Sequence, residues 1–182
     1  MGKDRQELLK VALLQINSVW HQPEKNRILL SQEIAKIGTK TDLVLLPEMF
    51  TTGFSMAPKK LAETMEGQTV QWMRSLAKEF NTVIAGSVII EEEGFFFNRF
   101  LWVPPKDTIA YYDKRHGFSL VGEHLKYKAG ENSGLVNYKG WKICLRICYD
   151  LRFPVWCRNT EEYDLLLFVA NWPKPRMQAW DT

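Results

Sequence analysis

What this sequence of 182 residues has little of narrows its possible roles. Its three cysteines, Cys144, Cys148 and Cys157, are odd in number and accompany no secretory signal, so a disulfide framework is excluded and free thiols are expected. The three histidines, His21, His116 and His124, lack the spacing of a metal-binding pair, and Cys144-x-x-x-Cys148 is not a zinc knuckle, so no metal site is expected. No stretch approaches the roughly 18 apolar residues needed to span a bilayer. The opening "MGKDRQELLKVALLQI" is charged up to Lys10, too short in its apolar run for a signal peptide, and without Ser or Thr at the sixth position for myristoylation. These features predict a cytoplasmic protein with no membrane partner. Neither sign of charge dominates: 24 basic and 21 acidic residues are interspersed without a basic block, which argues against nucleic acid.

Repeats, low-complexity tracts and linkers are also missing, so a single domain over residues 1–182 is expected. What is present is a hydrophobic content of 46% with 13% aromatics, enough for a substantial core. "KVALLQINSV" (10–19) reads as a strand. "EKNRILLSQEIAKIG" reads as a helix through Ile28, Leu29, Ile34 and Ile37, stopped by Gly38. "DLVLLPE" (42–48) is a buried strand ended by proline just before Glu48. Residues 68–80 place Val70, Met73, Leu76, Ala77 and Phe80 on one helical face, and a hairpin with a Glu-Gly turn follows. "TIAYYDKRHGF" (108–118) is a strand ending near Asp113-Lys114. "LVNYKGWKICLRIC" is a hairpin turning near Lys139-Gly140, and "YDLLLFVANWP" (163–173) is a last strand. Parallel crossovers mixed with hairpins predict an α/β layered sandwich. "KPRMQAWDT" reads as the start of a helix without a cap, with Met177 and Trp180 one step apart, so a C-terminally incomplete domain is expected.

Three strand ends thus present Glu48, Lys114 and Cys148, and layered α/β folds commonly carry their sites at strand ends. The types suit acyl transfer: a thiol attacks a carbonyl, a carboxylate takes its proton and an ammonium stabilises the oxyanion. Each alone has a plainer reading, as a buried hydrophobe, a solvated carboxylate or a surface amine. Spacing alone leaves both readings open for Cys148, and a papain-like pairing with His116 or His124 ranks below the Cys-Glu-Lys set. Cys144 and Cys157 read as packing. Cys148 differs in sitting at an abrupt strand-to-turn junction, as nucleophiles on elbows do.

"LLPEMF" around Glu48, "DKRHGFS" around Lys114 and "RICYDLRFP" around Cys148 resemble the three motifs of the nitrilase superfamily, carbon–nitrogen hydrolases with a Glu-Lys-Cys triad. "GEHLKYKAG" resembles the segment with the family's second glutamate, which falls on Glu123. "CYDLRFPVW" followed by "ANWPKPR" is most similar to the omega-amidase branch, which hydrolyses 2-oxoglutaramate and related omega-amides. The resemblance implies an α-β-β-α four-layer sandwich, paired into a homodimer or higher homo-oligomer, without cofactor, and acting on a small amide. It implies Cys148 as nucleophile, Glu48 as base, and Lys114 with the Tyr149 backbone N–H as oxyanion donors, with Glu123 orienting Lys114 or the amide. Phe118 and Trp172, with Phe54, are candidate pocket walls, Arg176 a candidate partner for a substrate carboxylate, and Arg152 a candidate for holding the turn by ion pairing. Family members continue past "RMQAW", which reinforces the expectation of a shortened chain. A nitrile or N-carbamoyl substrate, or a non-catalytic role through oligomerisation, are the competing readings.

Overall fold

In a computed structural model, which describes residues 7–172 and 174–179 apart from the side chains of Pro175, Arg176 and Ala179, two β-sheets face each other. The first has strands in the order β1 (Val11–Leu13), β2 (Leu43–Leu45), β3 (Val83–Glu92), β4 (Phe95–Val103) and β5 (Ala110–Asp113). β1, β2 and β3 run parallel, and β3, β4 and β5 alternate in direction. The second sheet comprises β6 (Leu135–Tyr138), β7 (Trp141–Ile147) and β8 (Leu165–Val169), with β6 antiparallel and β8 parallel to β7.

The parallel connections in the first sheet carry the helices. α1 (Pro23–Ile37) begins on a proline suited to a first helical turn, and α3 (Gln68–Phe80) ends on Asn81 in the left-handed region at φ 50°. Short α2 (Pro58–Leu61) lies between them. Leu30 and Ile34 of α1 and Val70, Met73, Leu76 and Ala77 of α3 pack on Val44, Ile84, Val88 and Leu101, forming one core. The buried face of α1 differs from the one expected, because Ile28 is exposed and Asn26 is buried. Asn26 is inside because it has partners: its amide donates to the Val19 and Thr51 carbonyls and accepts from the Val19 N–H. It thereby fastens the loop that follows Glu48.

A second core fills the space between the sheets, where Leu43, Leu45, Val83, Ala85, Phe100, Trp102 and Tyr112 meet Val136, Ile143, Leu145, Ile147, Leu167 and Val169. Alternation along each strand sends one set of side chains to each core. The expected layer order is therefore seen as helices, sheet, sheet; among the described residues the remaining helices are short, including α4 (Pro154–Cys157). Residues 174–179 form a 3-10 turn where the sequence predicts an α-helix, and Trp180 lies outside the described residues. Among the described residues no helix is long and apolar enough to cross a membrane.

Candidate active site

β2 is wholly buried, and its backbone is carried on by Leu46, whose N–H donates to the Ala85 carbonyl at 2.7 Å. Pro47 ends the strand, and Met49 turns the chain at φ 44°, its N–H donating to Ser87 Oγ at 2.8 Å. Gly86 permits this close approach, since a Cβ there would lie 2.8 Å from Leu46 Cβ. Glu48 is thereby held with no exposed surface. Lys114 is the residue after β5, its N–H donating to the Asn98 carbonyl at 3.0 Å and so extending the β4–β5 ladder by one step. Cys148 is the residue after β7 and opens a 3-10 turn at φ 44°, a conformation a non-glycine residue adopts at some cost and one that marks functional turns.

The three strand ends converge. Lys114 Nζ donates to Glu48 Oε1 at 2.8 Å and to both oxygens of Glu123, at 3.0 and 2.9 Å. The Cys148 thiol lies near enough to Glu48 and Lys114 for their charges to act on it. Glu123, also fully buried, sits in the 3-10 turn Glu123–Leu125 and accepts the Phe118 N–H at 2.6 Å. Lys114 Nζ also lies 5.3 Å from the Phe54 ring, which lines this side of the cluster.

Two residues that sequence reasoning missed complete the cluster. Asn98, in the middle of β4, donates its amide to Glu48 Oε1 at 2.8 Å and to Glu123 Oε1 at 3.2 Å. Asn171, two residues past β8, donates its backbone N–H to Glu48 Oε2 at 3.0 Å and its side-chain amide to the Glu48 carbonyl at 3.2 Å. A signal existed for both. "FFFNRFLW" interrupts an aromatic strand with two polar residues, and Asn171 follows an apolar strand as Glu48 does. Glu48 thus has each oxygen engaged by a fixed donor, which sets the direction of its remaining lone pairs.

The charges act on one another strongly because water is excluded. Burial works against the Lys114 ammonium, but Glu48, Glu123 and the Cys148 sulfur together hold its pKa above the ordinary lysine value. Burial, with the nearby Glu48 carboxylate, pushes the Cys148 thiol well above the usual cysteine range, and Lys114 offsets this only in part. Burial also raises Glu123, against the opposing pull of Lys114. The site therefore favours a protonated amine and a neutral thiol, with the Glu48 side chain beside the sulfur in a position to act as its base.

Around this centre, the Phe118 ring packs at 5.0 Å on the Tyr149 ring, and Tyr149 packs edge-on to Phe153 at 5.5 Å. Phe118 and Trp172 are both half-buried, while the Arg176 side chain lies outside the described residues. Arg152 is exposed, and Asp150, which is fully buried, ties the turn by accepting the Ile147 N–H at 3.1 Å. His116 also bonds to Asp150, stacked 3.7 Å from Phe153, and His124 is exposed, so neither stands as the partner of Cys148. Cys144 is buried and Cys157 half-buried, both as free thiols. A cavity of about 90 Å³ is lined by Lys114 and Glu123 together with Asn98, Tyr127 and Lys128. Among the described residues no group of three or more His, Cys, Asp or Glu is arranged to hold a metal ion.

A layered α/β chain whose strand ends bring a thiol, a carboxylate and an ammonium together has the outline of a thiol hydrolase. Residues 10–181 match the carbon–nitrogen hydrolase family, and the chain belongs to it. It is 47% identical over 174 residues to the omega-amidase YafV of Escherichia coli K12, a match covering 94% of this chain and 66% of that one. To the 2-oxoglutaramate amidase of Bacillus subtilis it is 32% identical, over 93% of this chain and 68% of the other. The crystal structure of XC1258 from Xanthomonas campestris, a CN-hydrolase superfamily protein with an arsenic adduct in its active site, superposes with a TM-score of 0.90 at 46% identity, covering 94% of this chain and 68% of that one. Nit3 of Saccharomyces cerevisiae, at 22% identity and a TM-score of 0.80, shares the fold. The chain spans 66% of the length of the Escherichia coli omega-amidase YafV proteins, just under two thirds.

Proposed function

We propose that this chain is the core of a thiol amidohydrolase that cleaves the carbon–nitrogen bond of a small omega-amide such as 2-oxoglutaramate. The observation that carries this reading is the buried cluster in which Glu48 accepts from Lys114, Asn98 and Asn171 beside the Cys148 thiol. Similarity to omega-amidase YafV and to the 2-oxoglutaramate amidase of Bacillus subtilis supports the choice of substrate class.

In this mechanism Glu48 takes the thiol proton as Cys148 Sγ attacks the amide carbon. Lys114 Nζ and the Tyr149 N–H receive the developing oxyanion, a contribution whose loss costs about 3 kcal/mol or more in such sites. Collapse breaks the C–N bond, and Glu48 passes its proton to the leaving nitrogen, which departs as ammonia. The acyl group remains on Cys148 as a thioester. A water molecule then gives a proton to Glu48 and attacks the thioester carbon. Expulsion of the sulfur releases the carboxylic acid, and the proton returns to Cys148. Glu123 keeps Lys114 aimed throughout. Phe118 and Trp172 wall the acyl site, and Arg176 receives the far carboxylate of the substrate. The enzyme acts in the cytoplasm as a homodimer, an assembly favoured by the exposed Leu120, Leu125, Leu151 and Val155.

Ammonia release from 2-oxoglutaramate, glutamine and a simple nitrile, measured for wild type and Cys148→Ala, tests the reading. Turnover of the omega-amide that vanishes in the variant is the expected result. A folded wild-type protein that turns over none of the three would overturn it in favour of a non-catalytic role, and preference for the nitrile would move the substrate class.

A further inference from the structure

Asp150 lies two residues beyond Cys148, takes no part in the chemistry above, and is fully buried. Its two oxygens are divided among three segments. Oδ2 accepts the Ile147 N–H at 3.1 Å, from the end of β7, and the Tyr112 hydroxyl at 2.8 Å, from β5. Oδ1 accepts the His116 N–H at 3.0 Å and bonds to His116 Nδ1 at 2.8 Å. Tyr112 and His116 stand two residues before and two residues after Lys114. One carboxylate thus ties the turn that carries the nucleophile to both flanks of the lysine.

The surroundings tighten this joint. The Tyr112 hydroxyl, while donating to Asp150, accepts from Trp156 Nε1 at 2.9 Å and from the Arg115 N–H at 3.3 Å. The His116 ring lies flat on Phe153, the residue that closes the turn, at 3.7 Å and 7°. Cys157 Sγ donates to the Asp150 carbonyl at 3.4 Å. Cys148 is held in its left-handed conformation at φ 44° by groups on both sides of it.

We infer that Asp150 is a positioning residue: with Tyr112 and His116 it sets the distance and direction between the Cys148 sulfur and the Lys114 ammonium. This rests on the proposed amidase reading for its kinetic consequence and on geometry alone for its structural one. A misplacement of about 1 Å between reacting groups costs up to about 100-fold in rate, so small changes at this joint are felt at the site.

Asp150→Asn presents an amide N–H₂ to groups that are themselves donors and risks misfolding, so Tyr112→Phe and His116→Ala are the working variants. Two readouts are taken on each. The first is kcat per thiol able to be acylated, from active-site titration with an amide substrate, alongside KM. The second is the rate of alkylation by iodoacetamide at Cys148 and at Cys144, resolved by peptide mass spectrometry. The inference expects kcat per titrated site to fall about 10-fold or more with KM changed less than about threefold. With the turn that carries it loosened, Cys148 should be alkylated faster while Cys144 is unchanged. Unchanged alkylation of both cysteines, or a parallel rise in both that reports general loosening, overturns the inference. So does a kcat per titrated site equal to that of wild type. If wild type turns over no amide, the proposed function fails, and the alkylation readout still decides whether Asp150 holds the nucleophile.

Discussion

Two buried cation–carboxylate clusters occupy neighbouring residues of the same strands. Arg99 on β4 and Asp113 on β5 form one, and the adjacent Asn98 and Lys114 belong to the other. The Arg99 guanidinium donates to both oxygens of Asp113, at 2.7 and 2.9 Å, and to Glu92 at 3.3 and 2.9 Å, and it covers the Tyr111 ring at 4.0 Å. Despite burial, these carboxylates hold Arg99 above its ordinary pKa. Four hydrogen bonds engage its planar fork, and a guanidinium does not give up its proton in proteins. Lys114 is a compact ammonium between two carboxylates, one of which lies beside a thiol. The first cluster is therefore inert by the choice of cation and by these bonds. In the second, one proton has two neighbouring homes, and the amine remains a point charge able to meet a new anion. Alternation of side chains along a strand places the two kinds on opposite faces within a single residue step.

The contrast is tested by breaking each cluster in turn. Cys148→Ala should lower amide turnover by about 10⁴-fold or more, as removal of nucleophiles does elsewhere, with thermal melting near that of wild type. Glu48→Gln should reduce kcat by about 10²- to 10⁴-fold in steady-state assays, since the general base is lost and the new amide N–H₂ faces a group that itself donates. Lys114→Met should cost about 10²- to 10³-fold in kcat, and because it strands Glu48 and Glu123 it should also lower stability by about 3–5 kcal/mol in denaturant melts. Arg99→Met should show the opposite division. A similar loss of about 3–5 kcal/mol is expected from stranding buried Asp113, with kcat of the folded fraction changed less than about threefold. Equal kinetic damage from both variants would break the comparison.

The smallest effect belongs to Glu92, whose side chain is 45% exposed. Hydrogen bonding to Arg99 lowers its pKa from 4.5, against the opposing effect of burial. A carboxylate depressed on folding contributes stability above its unfolded pKa and loses that contribution as pH falls through the folded value. Solvent screening limits the contribution to under about 1 kcal/mol. Urea melts of Glu92→Gln should therefore differ slightly from wild type at pH 7 and converge with it as the pH drops below 4.5.

The elements most visible in the sequence were those whose period matches their burial. The helix over 68–80 and both hairpin turns are written in local patterns, and the ends of β2, β5 and β7 announce Glu48, Lys114 and Cys148 because an apolar run stops at a functional residue. Asn98 was harder to assign. A polar residue inside a strand reads locally as a defect, and its purpose appears only when β2 and the Glu123 turn are brought against it. The part Asp150 plays was not legible, because the donors it uses include a tyrosine and a histidine more than 30 residues away in sequence. The face of α1 was misread at Ile28, since nothing local reveals that Asn26 will be buried among backbone carbonyls.

The hairpin turn between β3 and β4 has a bearing on the site that its distance conceals. Glu93 and Gly94 both adopt positive φ, 52° and 78°, and fix the pairing that sets Asn98 opposite Ile89 and Arg99 opposite Val88. A slip of one residue in that pairing would exchange the two faces of β4. The guanidinium would then point to where the amide now shares its hydrogens between Glu48 and Glu123, and the two carboxylates would close on a cation that never releases a proton. The identity of the group beside Glu48 is therefore decided at a surface turn, and the register of one hairpin is as much a condition for chemistry as any side chain that touches the substrate.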